Sequence, residues 1–275
     1  MTLILKYIRF LSLDVALGGV LLSIAVARYI GVVMPASVPL CLGIAIWVIY
    51  TIDHLIDAFK SEKEPSIERH MFHKKYSRLL ITALVTVVAG GIYQVLSLPT
   101  ITFFYGMALL LAVLFYFVVI YFFRRFYLKE FFVAMVYALG IFVGPLSLTG
   151  GVVTYALAMV FVQVFLLALI NLVLFSLFEI EQDKADKNAS IVLKMGPEKT
   201  QQMLKILFAL LLTVQVFVLV EIEGHLYESA FQLMFVAMTG VLFALQHWPG
   251  YFSENERYRL MGDGIFFLPA IWLLL

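Results

Sequence analysis

Nine stretches of mostly apolar residues, each set off by a turn or polar signal, govern what this chain can fold into. They run roughly over 11–33, 38–58, 79–97, 101–123, 131–149, 153–182, 203–221, 229–247 and 262–275. A helix that crosses a bilayer needs about 20 such residues, at about 1.5 Å of rise each, to span a hydrocarbon core of about 30 Å. The separators are Pro35 with Ser37, Pro99, Gly150-Gly151, Gly196-Pro197 and Pro249-Gly250, residues that break helices or favour turns. The ninth stretch is short and contains Pro269. Only 13% of the 275 residues are charged, against about 25% in a soluble domain. The sequence therefore predicts an all-α, polytopic membrane protein with about nine transmembrane helices in a bundle. A single cysteine, Cys41, excludes an internal disulfide and a cysteine-based metal site, and a net charge of +1 gives no case for nucleic-acid binding.

The charges fall into order on these spans. Eighteen of the 19 basic residues lie at the N-terminus or in the connections 2–3, 4–5, 6–7 and 8–9, and Arg28 is the exception. The opposite connections carry no Lys or Arg, and connection 7–8 is acidic, with Glu221, Glu223 and Glu228. By the positive-inside rule the N-terminus is cytoplasmic, and nine spans put the C-terminus on the other face. The expected location is a plasma membrane of bacterial inner-membrane type. The first stretch carries Asp14 and Arg28 and reads as a span, not a cleavable leader. Residues 1–10 mix apolar and basic side chains, a composition suited to the interface.

Carboxylates near a bilayer are expensive and are functional candidates by default. The second span ends IYTIDHLIDAFK, with Asp53 and Asp57 four residues apart. The sixth ends FSLFEIEQDKADK, with Glu179 and Asp183 four apart and Asp186 beyond. That spacing stacks side chains on one helix face, where like charges repel unless a cation lies between them. Carboxylates supplied singly, with water and substrate phosphate completing the shell, suit Mg²⁺. Glu179 and Asp183 each follow their counterpart in the first pair by 126 positions. One pair could be merely solvated. Two pairs in equivalent places point to a duplicated unit, with pseudo-repeats over about 11–123 and 131–247 and a final helix over 262–275, all within one domain spanning 1–275.

A basic connection follows each pair. The first reads KSEKEPSIERHMFHKKYSR and can form a short helix carrying Arg69, His70, His73 and Lys74. The second reads DKADKNASIVLKMGPEKTQQ, an apolar segment broken at Gly196-Pro197. A basic cap over acidic helix ends suits a diphosphate. Lys60, Arg69 and Lys187 are its candidate ligands. Basic cytoplasmic connections are also required by topology alone. His70 and His73, three apart, offer a transition-metal alternative. His54 turns away from the aspartate face and is expected to pack.

At these residues the chain resembles the UbiA superfamily of intramembrane prenyltransferases. The stretch EIEQDKADKNASIVLKMGPEKTQ is similar to the family's second aspartate motif and the segment beyond it. Glu179 and Asp183 match its metal-binding acids, and Asp53 and Asp57 match the last two aspartates of its first motif. Lys129, in YLKEFF, resembles a family lysine near the diphosphate. The chain departs from the pattern at Ile49 and Tyr50, where the family has Asn-Asp, at Phe175, where another acid often stands, and at ERHMFHKKY, where an Arg-Pro-rich segment is usual.

The resemblance implies Mg²⁺-dependent transfer of a prenyl group from a prenyl diphosphate to a lipophilic acceptor. Asp53, Asp57, Glu179 and Asp183 would be the catalytic metal ligands, and Lys60, Arg69, Lys129 and Lys187 the diphosphate ligands. The long isoprenoid would lie between spans, open to membrane lipid. The aromatic run at 115–123 is read first as lipid contact or helix packing. Two alternatives stand beside the enzyme. One is a non-catalytic prenyl-lipid-binding or scaffold homologue, motivated by the lost Asn-Asp pair. The other is a transporter, opposed by the placement of the strong polar groups at one membrane face.

Overall fold

A computed structural model of the chain describes residues 3–60, 68–122, 128–186, 189–221 and 226–275. Fifteen α-helices cover most of the described residues, with no strand among them. In chain order they are α1 (Leu3–Phe10), α2 (Leu13–Tyr29), α3 (Ser37–Lys60), α4 (Glu68–Lys75), α5 (Ser77–Val95), α6 (Thr100–Phe122), α7 (Lys129–Leu148) and α8 (Tyr155–Phe178). Then follow α9 (Ile180–Ala185), α10 (Ile191–Met195), α11 (Pro197–Glu221), α12 (Leu226–His247), α13 (Pro249–Ser253), α14 (Arg257–Gly264) and α15 (Leu268–Leu273).

Seven of these, α3, α5, α6, α7, α8, α11 and α12, are long and apolar enough to cross a membrane. They make the protein an integral membrane protein. The first expected span appears as α2, of 17 residues, about 26 Å long at 1.5 Å per residue and so slightly shorter than the hydrocarbon core. The ninth is divided into α14, a 3₁₀ turn over Ile265–Phe267 and α15, with Pro269 near the start of α15.

The core centres on α8. Two thirds (67%) of its most apolar window is buried, against 11% for α5. This follows from its sequence, since YALAMVFVQVFLLALINLVLFSLF is apolar on every face, as a central helix must be. Thr154 caps its start, its hydroxyl accepting the Leu157 N–H at 3.2 Å. Leu167, Ile170 and Val173 are wholly buried there and pack with residues of α7, α11 and α12 in one continuous core. On the outside, α5 and α6 expose Leu79, Ile92, Phe104 and Phe115, which suits contact with lipid tails. The aromatic run on α6 is divided. Phe115 and Phe122 are exposed, whereas Tyr116 is buried and stacks on Phe132 of α7 at 4.8 Å.

Close helix contacts hold the C-terminal segment against the bundle. A Cβ at Gly18 of α2 would lie 2.7 Å from Phe266 Cβ, and one at Gly262 of α14 would lie 2.4 Å from Asn171 Oδ1. Each glycine therefore permits an approach that a larger residue would prevent. Arg9 of α1 bridges to Glu256 at 2.9 Å, and Lys6 to Glu68 at 2.6 Å. These tie the first helix to α4 and to the segment before α14.

Candidate active site

The last turns of α3 carry Asp53 and Asp57 on one face, as their spacing predicts. The cation beside them is Lys129, the first residue of α7. Its Nζ lies 3.3 Å from Asp57 Oδ2 and 3.5 Å from Asp53 Oδ2. At the matching place on α8 the helix ends at Phe178 and restarts as α9 at Ile180, with Glu179 between them. The Asp183 N–H still donates to the Glu179 carbonyl at 2.8 Å, so the two acids stay one turn apart across the break. The cation here is Arg259 of α14, which pairs with Glu179, while Tyr258 donates its hydroxyl to the same Oε1 at 2.8 Å. Arg259 also lies over the Phe175 ring, 5.1 Å from its centroid.

A cavity of about 170 Å³ lies among these groups. Asp53, Asp57, Glu179, Asp183, Lys129 and Arg69 all face it. Burial would raise Glu179, but Arg259 and Arg69 outweigh it and hold the carboxyl below its usual value. Burial, with the Glu179 carboxylate next, pushes Asp183 up to about 7. Lys60 ends α3, and its side chain, like the whole of Lys187, lies outside the described residues.

The short helix expected in the first basic connection is α4, which starts at Glu68. It buries His70 and His73 against His54, with ring centroids 6.0 and 5.1 Å from that of His54. His73 donates Nδ1–H to the Arg69 carbonyl at 2.9 Å, and His54 Nε2 meets Ser12 Oγ at 3.1 Å. His54 packs as expected and also borders the cavity. Burial, then Arg69, depresses His70 to about 3, so it is neutral at pH 7. Among the described residues no three His, Cys, Asp or Glu side chains converge as a metal cage. That holds for the His70–His73 alternative and for the four acids taken together. Mg²⁺ is commonly held by one or two carboxylates with phosphate and water supplying the rest, which either acid pair can provide.

Sequence reasoning missed two residues here. Glu130 is buried, and its Oε1 accepts from Ser176 Oγ at 2.7 Å and from the Ile191 N–H at 2.9 Å, fastening α10 to the end of α8. Its one signal was an acid beside Lys129 at a helix start. Arg259 pairs with Glu179, distant in sequence, and not with its near neighbour Asp263, while Arg257 pairs with Glu254 at 3.0 Å.

A second cavity of about 280 Å³ lies between α3, α6 and α7. Its lining is almost wholly apolar, and it shares Tyr50, Val133 and Tyr137 with the polar cavity.

No protein-family model and no curated protein matches the chain. Solved structures do match. A UbiA homolog from Archaeoglobus fulgidus bound to GPP and Mg²⁺ aligns with TM-score 0.68 at 15% identity, over 98% of this chain and 100% of that one. The chain has the UbiA fold. The apo structure of a UbiA homolog from Aeropyrum pernix K1 aligns with TM-score 0.63 at 14% identity, over 96% of each chain. A structure of digeranylgeranylglyceryl phosphate synthase aligns with TM-score 0.56 at 13% identity, over 100% of this chain and 97% of that one. The UbiA fold thus extends over nearly the whole length, from α1 to α15.

Proposed function

We propose that this protein is a Mg²⁺-dependent prenyltransferase that moves a prenyl group from a prenyl diphosphate to a lipophilic acceptor within the membrane. The observation that carries the reading is one of placement. Two acid pairs, Lys129 and Arg69 line a polar cavity that borders an apolar one through Tyr50 and Tyr137. A molecule with a diphosphate head and an isoprenoid tail has those two halves. The Archaeoglobus fulgidus homolog of like fold was solved with DMAPP and with GPP, each with Mg²⁺.

In this reading Asp53 with Asp57, and Glu179 with Asp183, would hold Mg²⁺. When bound, the metal draws charge from the leaving diphosphate. Lys129 and Arg69 would neutralise phosphate oxygens, joined by Lys60 and Lys187. The tail lies in the apolar cavity. The rings of Tyr50, Tyr116 and Tyr137 line that cavity and offer π faces to the positive allylic carbon. Exclusion of water by the segments over the site protects that carbon from hydrolysis. The acidic helix ends face the cytoplasm in a bacterial inner membrane, and the two acid pairs descend from the two pseudo-repeats.

The test is incorporation of a labelled prenyl group from its diphosphate into membrane lipid or an aromatic acceptor, comparing wild type with Asp53→Asn and Asp183→Asn. Loss of at least about 100-fold in both variants is expected. Unchanged turnover in both would sink the mechanism. Mg²⁺-dependent binding of prenyl diphosphate without product would favour the scaffold reading.

A further inference from the structure

The apolar cavity that meets the polar one at Tyr50, Val133 and Tyr137 is a slot of definite depth. Its walls are single helix faces. On α3 the lining runs through Val38, Cys41, Ala45 and Ile49, the spacing of one face of a 3.6-residue helix. From Val38 to Tyr50 on α3, and from Phe132 to Gly144 on α7, the wall is about 18 Å long at about 1.5 Å per residue, and from Thr102 to Tyr116 on α6 about 21 Å.

The far end is shut by contacts at and just past the last lining residues. A Cβ at Gly144 would lie 2.7 Å from Val38 Cγ1 and 2.8 Å from Met34 Sδ, so α7 and α3 leave no gap there. The Thr102 and Ser147 hydroxyls share a hydrogen bond at 2.7 Å, which joins α6 to α7, and Ser147 donates on to the Gly144 carbonyl at 2.9 Å. Ser37 donates to the Ser97 carbonyl at 3.2 Å, which joins the start of α3 to the turn before α6. These hydroxyls are spent on the protein, so the end makes no polar demand on an occupant. Along the side Ala45, Met107 and Leu110 of the lining are exposed. The slot is thus open to lipid along its side and shut at its end.

Two glycines keep it clear between mouth and end. Gly140 of α7 lies about 10 Å from Val133 along its helix, and Gly106 of α6 about 15 Å from Tyr116. A Cβ at Gly140 would make ordinary contact with Leu42 of α3 at 3.6 Å and Leu109 of α6 at 3.7 Å, and one at Gly106 would meet nothing within 4 Å. A longer side chain at Gly140 therefore projects between two opposite walls. An isoprene unit adds about four chain bonds, and an extended chain advances about 1.2 Å per bond, so each unit is about 4.7 Å long. The slot matches about four units, with Gly140 at the end of about the second and Gly106 at the end of about the third.

We propose that the prenyl donor of this protein carries a tail of about four isoprene units, held at full length in the slot, and that Gly140 and Gly106 set that length. The proposal rests on the prenyl-transfer reading. Removal from water does not choose between tails, because a tail in the bilayer is already among apolar neighbours. Fit to the slot decides. A tail of about two units leaves the far half empty, and its lining forfeits packing contacts. A much longer tail meets the shut end and has to turn out into lipid.

The experiment gives the full chain, in bilayer nanodiscs with Mg²⁺, geranyl, geranylgeranyl or solanesyl diphosphate, and measures binding with labelled donor. Cys41, the chain's single cysteine, is half-buried in the slot wall and serves as reporter. It lies about 13 Å from Tyr50 along α3, past the reach of about two units and within that of about four. Bound geranylgeranyl diphosphate is expected to slow alkylation of Cys41 by N-ethylmaleimide at least tenfold, and bound geranyl diphosphate less than threefold. Solanesyl diphosphate is expected to bind at least tenfold more weakly than geranylgeranyl diphosphate. Gly140→Leu should weaken geranylgeranyl diphosphate binding at least tenfold and leave geranyl diphosphate within threefold. Gly106→Leu, with the same expectation, carries this arm if Gly140→Leu does not fold. Protection of Cys41 as strong from geranyl as from geranylgeranyl diphosphate, or from neither once bound, overturns the proposal. So does tightest binding of the geranyl or solanesyl donor, or unchanged geranylgeranyl diphosphate binding in both glycine variants. Failure of every donor to bind instead overturns the prenyl-transfer reading.

Discussion

The Lys129 ammonium bridges Asp57, at 3.3 Å, and Asp53, at 3.5 Å, so one cation from α7 holds together two like charges stacked on α3. Removing it should uncover their repulsion. Lys129→Ala should destabilise the protein, and a double-mutant cycle with Asp57→Ala, read from unfolding in mixed micelles, should give a coupling of about 0.5–3 kcal/mol. A coupling near zero would mean the pair is solvated and contributes little.

Arg259 and Glu179 form a more enclosed pair, with side chains only 9% and 11% exposed. Arg259→Met leaves the carboxylate without its partner, a loss of about 3–5 kcal/mol for a buried pair. Arg259→Lys should recover only part of this, because the planar guanidinium also lies over Phe175 and a compact ammonium does not match that contact. Thermal unfolding of the three proteins in detergent checks the order.

Glu130 should matter locally. Glu130→Ala removes the acceptor for the buried Ser176 Oγ and the half-buried Ile191 N–H, and a buried donor left unpaired costs about 1–3 kcal/mol. Faster proteolysis within α9 and α10, with slower change elsewhere, is the expected signature under native-state digestion.

His70 sets a pH dependence of stability. Its folded value of about 3 lies below the usual histidine range because of burial and Arg69. Between about pH 6.5 and 3 the unfolded chain binds the proton and the folded chain does not, so stability falls as pH drops, by up to about 1.4 kcal/mol per unit. The contribution is fully present above pH 6.5. Melting temperature followed from pH 7.5 to 4.5 should show a shallower fall in His70→Leu than in wild type. Parallel curves would count against the assignment.

Much of the fold was legible because lipid imposes a simple rule. A backbone in hydrocarbon must satisfy its own hydrogen bonds, so long apolar runs become helices. Seven spans follow directly. The ends of the bundle were harder. The segment 262–275 has span-like composition, yet Pro269 and the 3₁₀ turn at Ile265–Phe267 divide it. Within the site, the i, i+4 acids were readable because helix periodicity is local. Asp53 and Asp57 share a face whatever surrounds them.

The partners of those acids were not readable. Lys129 was singled out by resemblance, but its bridging of both aspartates depends on how α7 meets α3. Arg259 reaches Glu179 across 80 positions of chain, and Gly262 permits α14 to approach Asn171 and Phe175 that closely. The sequence by itself determined a helical membrane protein with its charges sorted by connection and its acids in two matched pairs, since these depend on hydropathy and on a 3.6-residue repeat. Only the tertiary structure decided which cation neutralises which acid and which polar residues line the cavity. Both are properties of side chains brought within a few ångströms by packing, and no local pattern encodes that distance.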